Sequence, residues 1–303
     1  MHYILIFLIL ISSFHCKKKE TGEIVSAVPI SLVGEVFVLD KSSDKKPLEV
    51  FQTKIFPQET LVTGKTGKCI LALPGGANLS VFPNSRIQIS YSLLNSVEET
   101  SVKLTSGKLF LQQKEKLKSN QKLTVISPTL TAGVRGTEFL VTEDQGVDQV
   151  VVGEGSVAVT NGKIESVVND EEKAEVVDEN IQVSSISREE SSQLNAYASE
   201  IETVLQTNKA QMENILENYK LEKERISAEF QAGKEKIQEE LNQQKSKDQE
   251  KLNQQKEQGK AQVEQVKTTG KQEVEAKKTE NADQKNSINS TSKSEMDKIK
   301  SGK

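Results

Sequence analysis

Apolar residues in the first half of the chain recur at every second position in short runs: Cys69-x-Leu71-x-Leu73, Leu79-x-Val81, Ile87-x-Ile89-x-Tyr91, Val102-x-Leu104, Phe139-x-Val141 and Val150-x-Val152. Others start from a glycine, as in Gly34-x-Val36-x-Val38, Gly107-x-Leu109-x-Leu111 and Gly155-x-Val157-x-Val159. Gly, Asn, Pro and Ser punctuate the runs about every ten residues. A period of two buries one face of a strand. The pattern therefore predicts an all-β module of many short strands, built either as a coiled solenoid or as a compact sandwich.

The period changes after Ser187. Leu194, Ile201, Leu205, Met212, Ile215 and Tyr219 follow heptad-like spacing, as in a coiled-coil seam. From there Tyr219, Phe230, Leu241, Leu252, Val263 and Val274 stand 11 residues apart, with Ile215, Ile226 and Ile237 beside them at the same interval. That repeat, about 3.67 residues per turn, draws a nearly straight stripe along a helix. Ser187 stands three residues before Glu190, the spacing of a capping box. One long helix is thus expected over 188–280, with Ile215, Tyr219, Ile226, Phe230, Ile237 and Leu241 as the coiled-coil seam. Asp248, Gly259 and Gly270 interrupt the second column. The polar stretch 281–303 is expected to be disordered, and the acidic stretch 163–187 to be an extended linker.

The amino terminus has a different pattern. Residues 1–14 are almost wholly apolar, a run of secretory-signal length and short for a bilayer span. Cys16 follows, then Lys17-Lys18-Lys19-Glu20-Thr21-Gly22. This arrangement predicts an export signal over 1–16, lipid attachment at Cys16 and a polar tether over 17–29, although His15 departs from the usual lipobox. Lipidation would place the protein on a cell-envelope membrane, facing the periplasm. Uncleaved anchoring and a coincidental cysteine are the alternatives.

Composition narrows the chemistry. Aromatic residues make up 4% of the chain and tryptophan is absent, too little for one large core and consistent with a tail outside it. The two histidines, His2 and His15, both precede Cys16. A chain processed there has no imidazole for a catalytic triad or a zinc site. No catalytic residue, metal ligand or cofactor is therefore expected. From Ser187 onward 21 Lys and Arg balance 22 Asp and Glu, which leaves no basic stripe for nucleic acid. Cys69, inside an apolar run, reads as a small buried hydrophobe.

One stretch carries a family pattern: Ser127-Pro128-Thr129, a run of small residues, then Val134-Arg135-Gly136-Thr137-Glu138-Phe139-Leu140-Val141. Pro128 ends a strand because it has no N–H for the ladder. Arg135, between small residues, can spread its donors over nearby carbonyls and clamp two strands. With the turns at Leu61–Lys68, Leu73–Gly76, Pro83–Arg86, Leu104–Leu109 and Val152–Val157, this stretch resembles the FecR domain over about residues 30–162. The resemblance implies a β-helix-like periplasmic module in which Pro128, Val134, Arg135, Gly136, Thr137 and Phe139 are structural. It leaves two functions: a non-enzymatic envelope lipoprotein that acts as a structural or interaction module, or a FecR-like relay to a sigma factor or a TonB-dependent receptor. Expected partners are a membrane through the lipid, a second copy through the tail, and another envelope protein.

Overall fold

The computed structural model describes residues 25–94, 97–134, 136–177, 179–300 and 302. Cys16 and Arg135, on which the lipid and strand-clamp expectations rest, lie outside the described residues. The chain divides into two units, Met1–Phe230 and Gln231–Lys303.

The first unit opens with β1 (Val28–Val33), β2 (Val36–Leu39), β3 (Lys45–Pro47), β4 (Thr60–Thr63), β5 (Lys68–Ala72) and β6 (Asn78–Val81). It continues through β7 (Arg86–Leu94), β8 (Val97–Gln112), β9 (Gln121–Ile126), β10 (Thr131–Val134) and β11 (Glu138–Asp144). The last strands are β12 (Val147–Glu154), β13 (Ser156–Thr160), β14 (Glu165–Asn169), β15 (Glu172–Val177) and β16 (Asn180–Ser185). Two helices follow, α1 (Arg188–Thr207) and α2 (Lys209–Lys300).

The strands form two sheets joined through β8. Sheet I runs β3-β2-β4-β7-β8-β9-β10-β13-β14. Sheet II runs β1-β5-β6-β8-β11-β12-β15-β16. Residues 97–106 of β8 pair in sheet I and residues 107–112 in sheet II. The crossing falls at Gly107, whose φ of +95° is left-handed. A Cβ there would lie 2.6 Å from Ser85 Cα and 2.8 Å from Asn84 O, so only glycine lets β8 pass from one sheet to the other.

The expected β module of short strands followed by a helical tail is present. Among the described residues every strand pair is antiparallel except β8–β9, so of the two packings foreseen the sheets adopt the sandwich instead of the stacked parallel rungs of a β-helix. Both sheets contribute to one core, with Leu71, Leu79, Leu111 and Phe139 from sheet II facing Ile87, Leu104, Val125 and Val159 from sheet I. Cys69 belongs to that core as a free, buried thiol, and burial raises its pKa.

Sheet II is buried on its other face as well. Ile70, Ala72, Phe110, Leu140 and Val151 point away from the sandwich and meet Leu194, Ala198, Ile201, Met212 and Ile215 of the helices. Ser187 caps α1 as its spacing predicts: Glu190 N–H donates to Ser187 Oγ (3.1 Å) and Ser187 N–H donates to Glu190 Oε2 (2.7 Å). Lys173 of β15 pairs with Glu190 at 2.8 Å. Ion pairs Lys68–Glu200, Lys114–Glu202 and Lys223–Glu98 ring the apolar contact.

Four expectations change here. The polar tether expected over 17–29 does not extend over its described part, because Val25, Ser26 and Ala27 are buried and β1 starts at Val28. The acidic stretch 163–187 is not a linker, because β14, β15 and β16 occupy it. Val168 and Ala174 are buried at alternating positions beneath the charges, and Lys163 and Lys173 neutralise Glu179 and Glu190. The single helix over 188–280 is broken at Asn208, which caps α1 with N–H and Nδ2 bonds to Val204 O at 3.1 and 2.8 Å. The stretch 281–303 is helical through Lys300 instead of disordered. No proline breaks it, and Thr279, Ser290 and Thr291 turn their hydroxyls back onto carbonyls three or four residues earlier.

In the second unit, α2 is exposed along its length, with Ile237, Leu241, Leu252, Val263 and Val274 all open to solvent. Among the described residues no helix is long and apolar enough to cross a membrane.

Candidate functional site

The family-like stretch forms a structural corner. β9 ends at Ile126, and Ser127 closes the turn through its N–H and Oγ, both donating to Leu130 O at 2.9 and 3.2 Å. Pro128 stands exposed at the tip. Thr129 follows and donates both N–H (2.6 Å) and Oγ1 (2.5 Å) to Asp148 Oδ2 of β12. Asp148 is fully buried, so this bond latches the corner of sheet I onto sheet II. Val134 and Phe139 lie in the shared core. Gly136 and Gly155 both have positive φ. A Cβ on Gly155 would lie 2.5 Å from Gly136 O and 2.6 Å from Thr137 Cγ2, so the second turn nests against the motif. Thr137 O accepts from Gln113 N–H at 3.0 Å. Five of the six expected motif residues, all but Arg135, thus come together in one corner.

The expected seam is divided. Ile215 and Tyr219 pack onto sheet II, Ile226 and Phe230 are half-buried, and Ile237 and Leu241 are exposed. The heptad-like spacing before Tyr219 therefore records packing against a sheet in the same chain, not against a second helix. Either partner needs an apolar stripe, which is why the pattern alone did not separate them.

Between the helices and the rim of sheet II lies a cavity of about 610 Å³, within the usual range for small-molecule sites. The β5–β6 turn, with Leu73 and Pro74, forms one wall; Leu205, Met212, Leu216 and Tyr219 form the other. Tyr91, Glu98, Gln112, Gln113 and Gln121 close its polar end. The Glu98 carboxylate is buried and receives Lys223 Nζ at Oε1. Its Oε2 receives only long bonds, from Gln121 Nε2 at 3.4 Å and Tyr91 Oη at 3.5 Å. Tyr219 Oη donates to Ala72 O at 3.0 Å. Burial, and then the Glu98 carboxylate, raise the Tyr91 pKa; burial, and then Glu222, raise that of Tyr219. Both phenols stay neutral donors through the physiological range.

Of these cavity residues the sequence marks only Leu205, Met212 and Tyr219, as positions of a helical seam. The lining residues come from stretches far apart in the chain, which the sheets and the docked helices bring together. Among the described residues no group of three His, Cys, Asp or Glu side chains could hold a metal ion.

Comparison with known proteins agrees with the corner. Residues 59–158 match the family described as FecR protein, about a third of the chain. The match leaves out the opening strand at Gly34–Val38 and all of the helical tail. Two crystal structures of a candidate anti-sigma factor from Parabacteroides distasonis ATCC 8503, at 2.50 and 1.65 Å resolution, are similar to this chain at 16% identity with a TM-score of 0.37. The similarity covers 42% of this chain and 60% of theirs, so the chain spans less than two thirds of their length. No curated protein matches.

Proposed function

We propose that the protein is a non-enzymatic module of the cell envelope, tethered to a membrane through lipid on Cys16, whose FecR-type sandwich serves as a platform and whose tail makes the contacts. The observation that carries this reading is the exposed apolar stripe of the second unit, Leu241, Leu252, Val263 and Val274 at 11-residue intervals. A long helix in water gains little from propensity and depends on burying such a face. A second copy of the same helix offers the matching stripe and, with its balanced charge, does not repel it.

Sedimentation velocity on the chain from Val25 onward tests this. Association that rises with concentration, and is lost when Leu241 and Leu252 are both replaced by Glu, is the expected result. A monomer at all concentrations, with crosslinks from the tail in intact cells reaching no other copy, rejects it. Detergent-phase partitioning of the full chain, compared with Cys16→Ala, tests the tether separately; equal partitioning removes the lipid.

The FecR match at 59–158 favours a second reading, a signal relay in which the platform passes receptor occupancy to a regulator. Recovery of a sigma factor or a TonB-dependent receptor in co-purification decides for it.

A further inference from the structure

A strand at the edge of a sheet presents N–H and C=O groups that invite another strand unless the sequence protects them. Among the described residues β1, β3, β14 and β16 stand at sheet edges, and the first three are protected. β3 is Lys45-Lys46-Pro47, two charges and a residue without an N–H. Along β1 the pairing with β5 shifts between Pro29 and Ser31, and the loop before β4 covers the outer side: Phe51 N–H donates to Pro29 O at 2.8 Å, and Ala27 bridges to Ile55. β14 carries Glu165 at its start, and at its end the Asn169 N–H donates to Glu172 Oε2 at 2.9 Å.

β16 has no such guard. Asn180-Ile181-Gln182-Val183-Ser184-Ser185 contains no charge and no proline, pairs with β15 without a bulge, and is exposed except for Ile181. Ile186 N–H donates to Glu171 O at 2.9 Å. By the period of two, even-numbered residues turn their main chain toward β15, and Ile181, Val183 and Ser185 turn theirs outward. α1 leaves this edge open, because it begins beside β15, where Lys173 pairs with Glu190, and runs toward β5, where Lys68 pairs with Glu200. Exposed apolar side chains border the edge: Val183 itself, and Ile164 and Val167 of the β13–β14 hairpin. Lys163–Glu179 and the bond from Asn161 Nδ2 to Glu179 O, each at 2.7 Å, tie that hairpin to the start of β16.

We propose that the β16 edge is an interface between two copies of this chain, paired antiparallel about a twofold axis through Val183. The proposal rests on association through the tail, since one strand pair buries too little to hold two copies alone, and it gives that association a second interface. Centred on Val183, the pairing sets Ile181 against Ser185 of the other copy and Val183 against itself, so all three outward residues exchange main-chain bonds. A slip of two residues in either direction loses one of these pairs. Glu179, with a left-handed φ of +65°, does not extend the strand, and Ser187 N–H already donates to Glu190. Charge agrees with this register. The paired strands carry none to repel, and beyond their ends the exposed Glu179 falls beside Ser187 and Arg188 of the other copy, at the positive amino end of α1.

Cysteine pairing tests the proposal on the chain from Val25 onward, in which the native thiol, Cys69, is buried. Residues in a hydrogen-bonded antiparallel pair have Cα atoms about 5.5 Å apart, within the roughly 4.4 to 6.8 Å that a disulfide spans. Val183→Cys is expected to form an intermolecular disulfide under mild oxidation, and Val33→Cys, 60% exposed on the opposite edge of sheet II, is not. Val183→Lys sets two ammonium groups against each other at the axis and is expected to weaken association several-fold in sedimentation. Val183→Thr, which keeps an uncharged β-branched residue there, is expected to leave association unchanged. Circular dichroism and thermal melting confirm that each variant is folded. Sedimentation of the parent reads the tail and the disulfide reads the edge, so their failures are told apart. A parent that associates while Val183→Cys links no faster than Val33→Cys, or while Val183→Lys associates as tightly as the parent, overturns the edge interface alone. So does a full chain whose Val183→Cys links in intact cells to a different protein instead of to itself. A parent that stays monomeric overturns both.

Discussion

Between Leu194 and Ile215 the apolar residues of the helices lie buried on sheet II, whereas from Ile237 to Val274 the residues that continue the apolar stripe, now at 11-residue intervals, stand in solvent. The first set has a partner in its own chain; the second has none among the described residues. A repeating apolar face states that something covers it; the spacing does not say what. Here the answer changes partway along α2, near the boundary of the two units at Phe230.

The sharpest way to test this contrast is to remove the cover. A chain that ends at Ser187 leaves Ile70, Phe110, Leu140 and Val151 bare, each a loss of about 1.5 to 3 kcal/mol of burial. Such a chain is expected to bind a hydrophobic dye and to unfold without cooperativity. Its Cys69 is expected to label rapidly with a thiol reagent, whereas the intact protein, with a buried thiol of raised pKa, resists labelling until it unfolds. A truncated sandwich that melts like the parent contradicts the claim that the helices are part of its structure.

Single substitutions come next. Ile201 is 0% exposed, and Ile201→Ala is expected to lower the unfolding free energy by about 2 to 5 kcal/mol. Leu252 is 45% exposed, and Leu252→Ala is expected to change monomer stability by less than about 0.5 kcal/mol. Urea unfolding of both variants decides it; equal losses erase the distinction between the two stretches.

A smaller effect is expected where the cover begins. Ser187→Ala removes the oxygen that accepts from Glu190 N–H and is expected to cost about 1 kcal/mol, read in the same unfolding assay. A change within error places the start of α1 under the control of Lys173 alone.

The smallest effect is a response to acid. Lys173, and then Ser187 N–H, hold the Glu190 carboxyl below the ordinary value of 4.5. Because the native pKa is the lower one, the contribution is present above that ordinary value and is lost as pH falls through the native one. Hydrogen exchange over residues 188–194 is expected to quicken below that range before the sandwich melts. Unchanged protection there means that the pair does not hold the helix.

Much of this was legible in the sequence, and part of it was misread. The strands of sheet I alternate as half-buried strands do, in Ile87-x-Ile89 and Val102-x-Leu104. The strands of sheet II carry unbroken apolar runs: Cys69-Ile70-Leu71-Ala72-Leu73, Leu109-Phe110-Leu111, Phe139-Leu140-Val141 and Val150-Val151-Val152. A run without alternation is what a strand buried on both faces shows. Taking only every second residue hid that sheet II needed a cover. Counting the intervening residues links the stripe at Leu194–Ile215 to the sheet. The strands β14 to β16 were hidden by their charge, though Val168 and Ala174 kept the alternation underneath. The cavity and the Thr129–Asp148 latch had no local signal, because each joins residues from distant stretches that meet only in the folded chain.

Placing the cover at the carboxyl side of the sandwich has a consequence for biosynthesis. A ribosome makes the chain from the amino terminus, so every strand of both sheets emerges before α1 and the start of α2. During that interval the outer surface of sheet II is complete in sequence and has nothing to close it. Non-local pairing of this kind is slow, and bare apolar surface invites association with other chains. The nascent protein is therefore most exposed to aggregation and to chaperone capture after Ser187 has emerged and before about the next forty residues have.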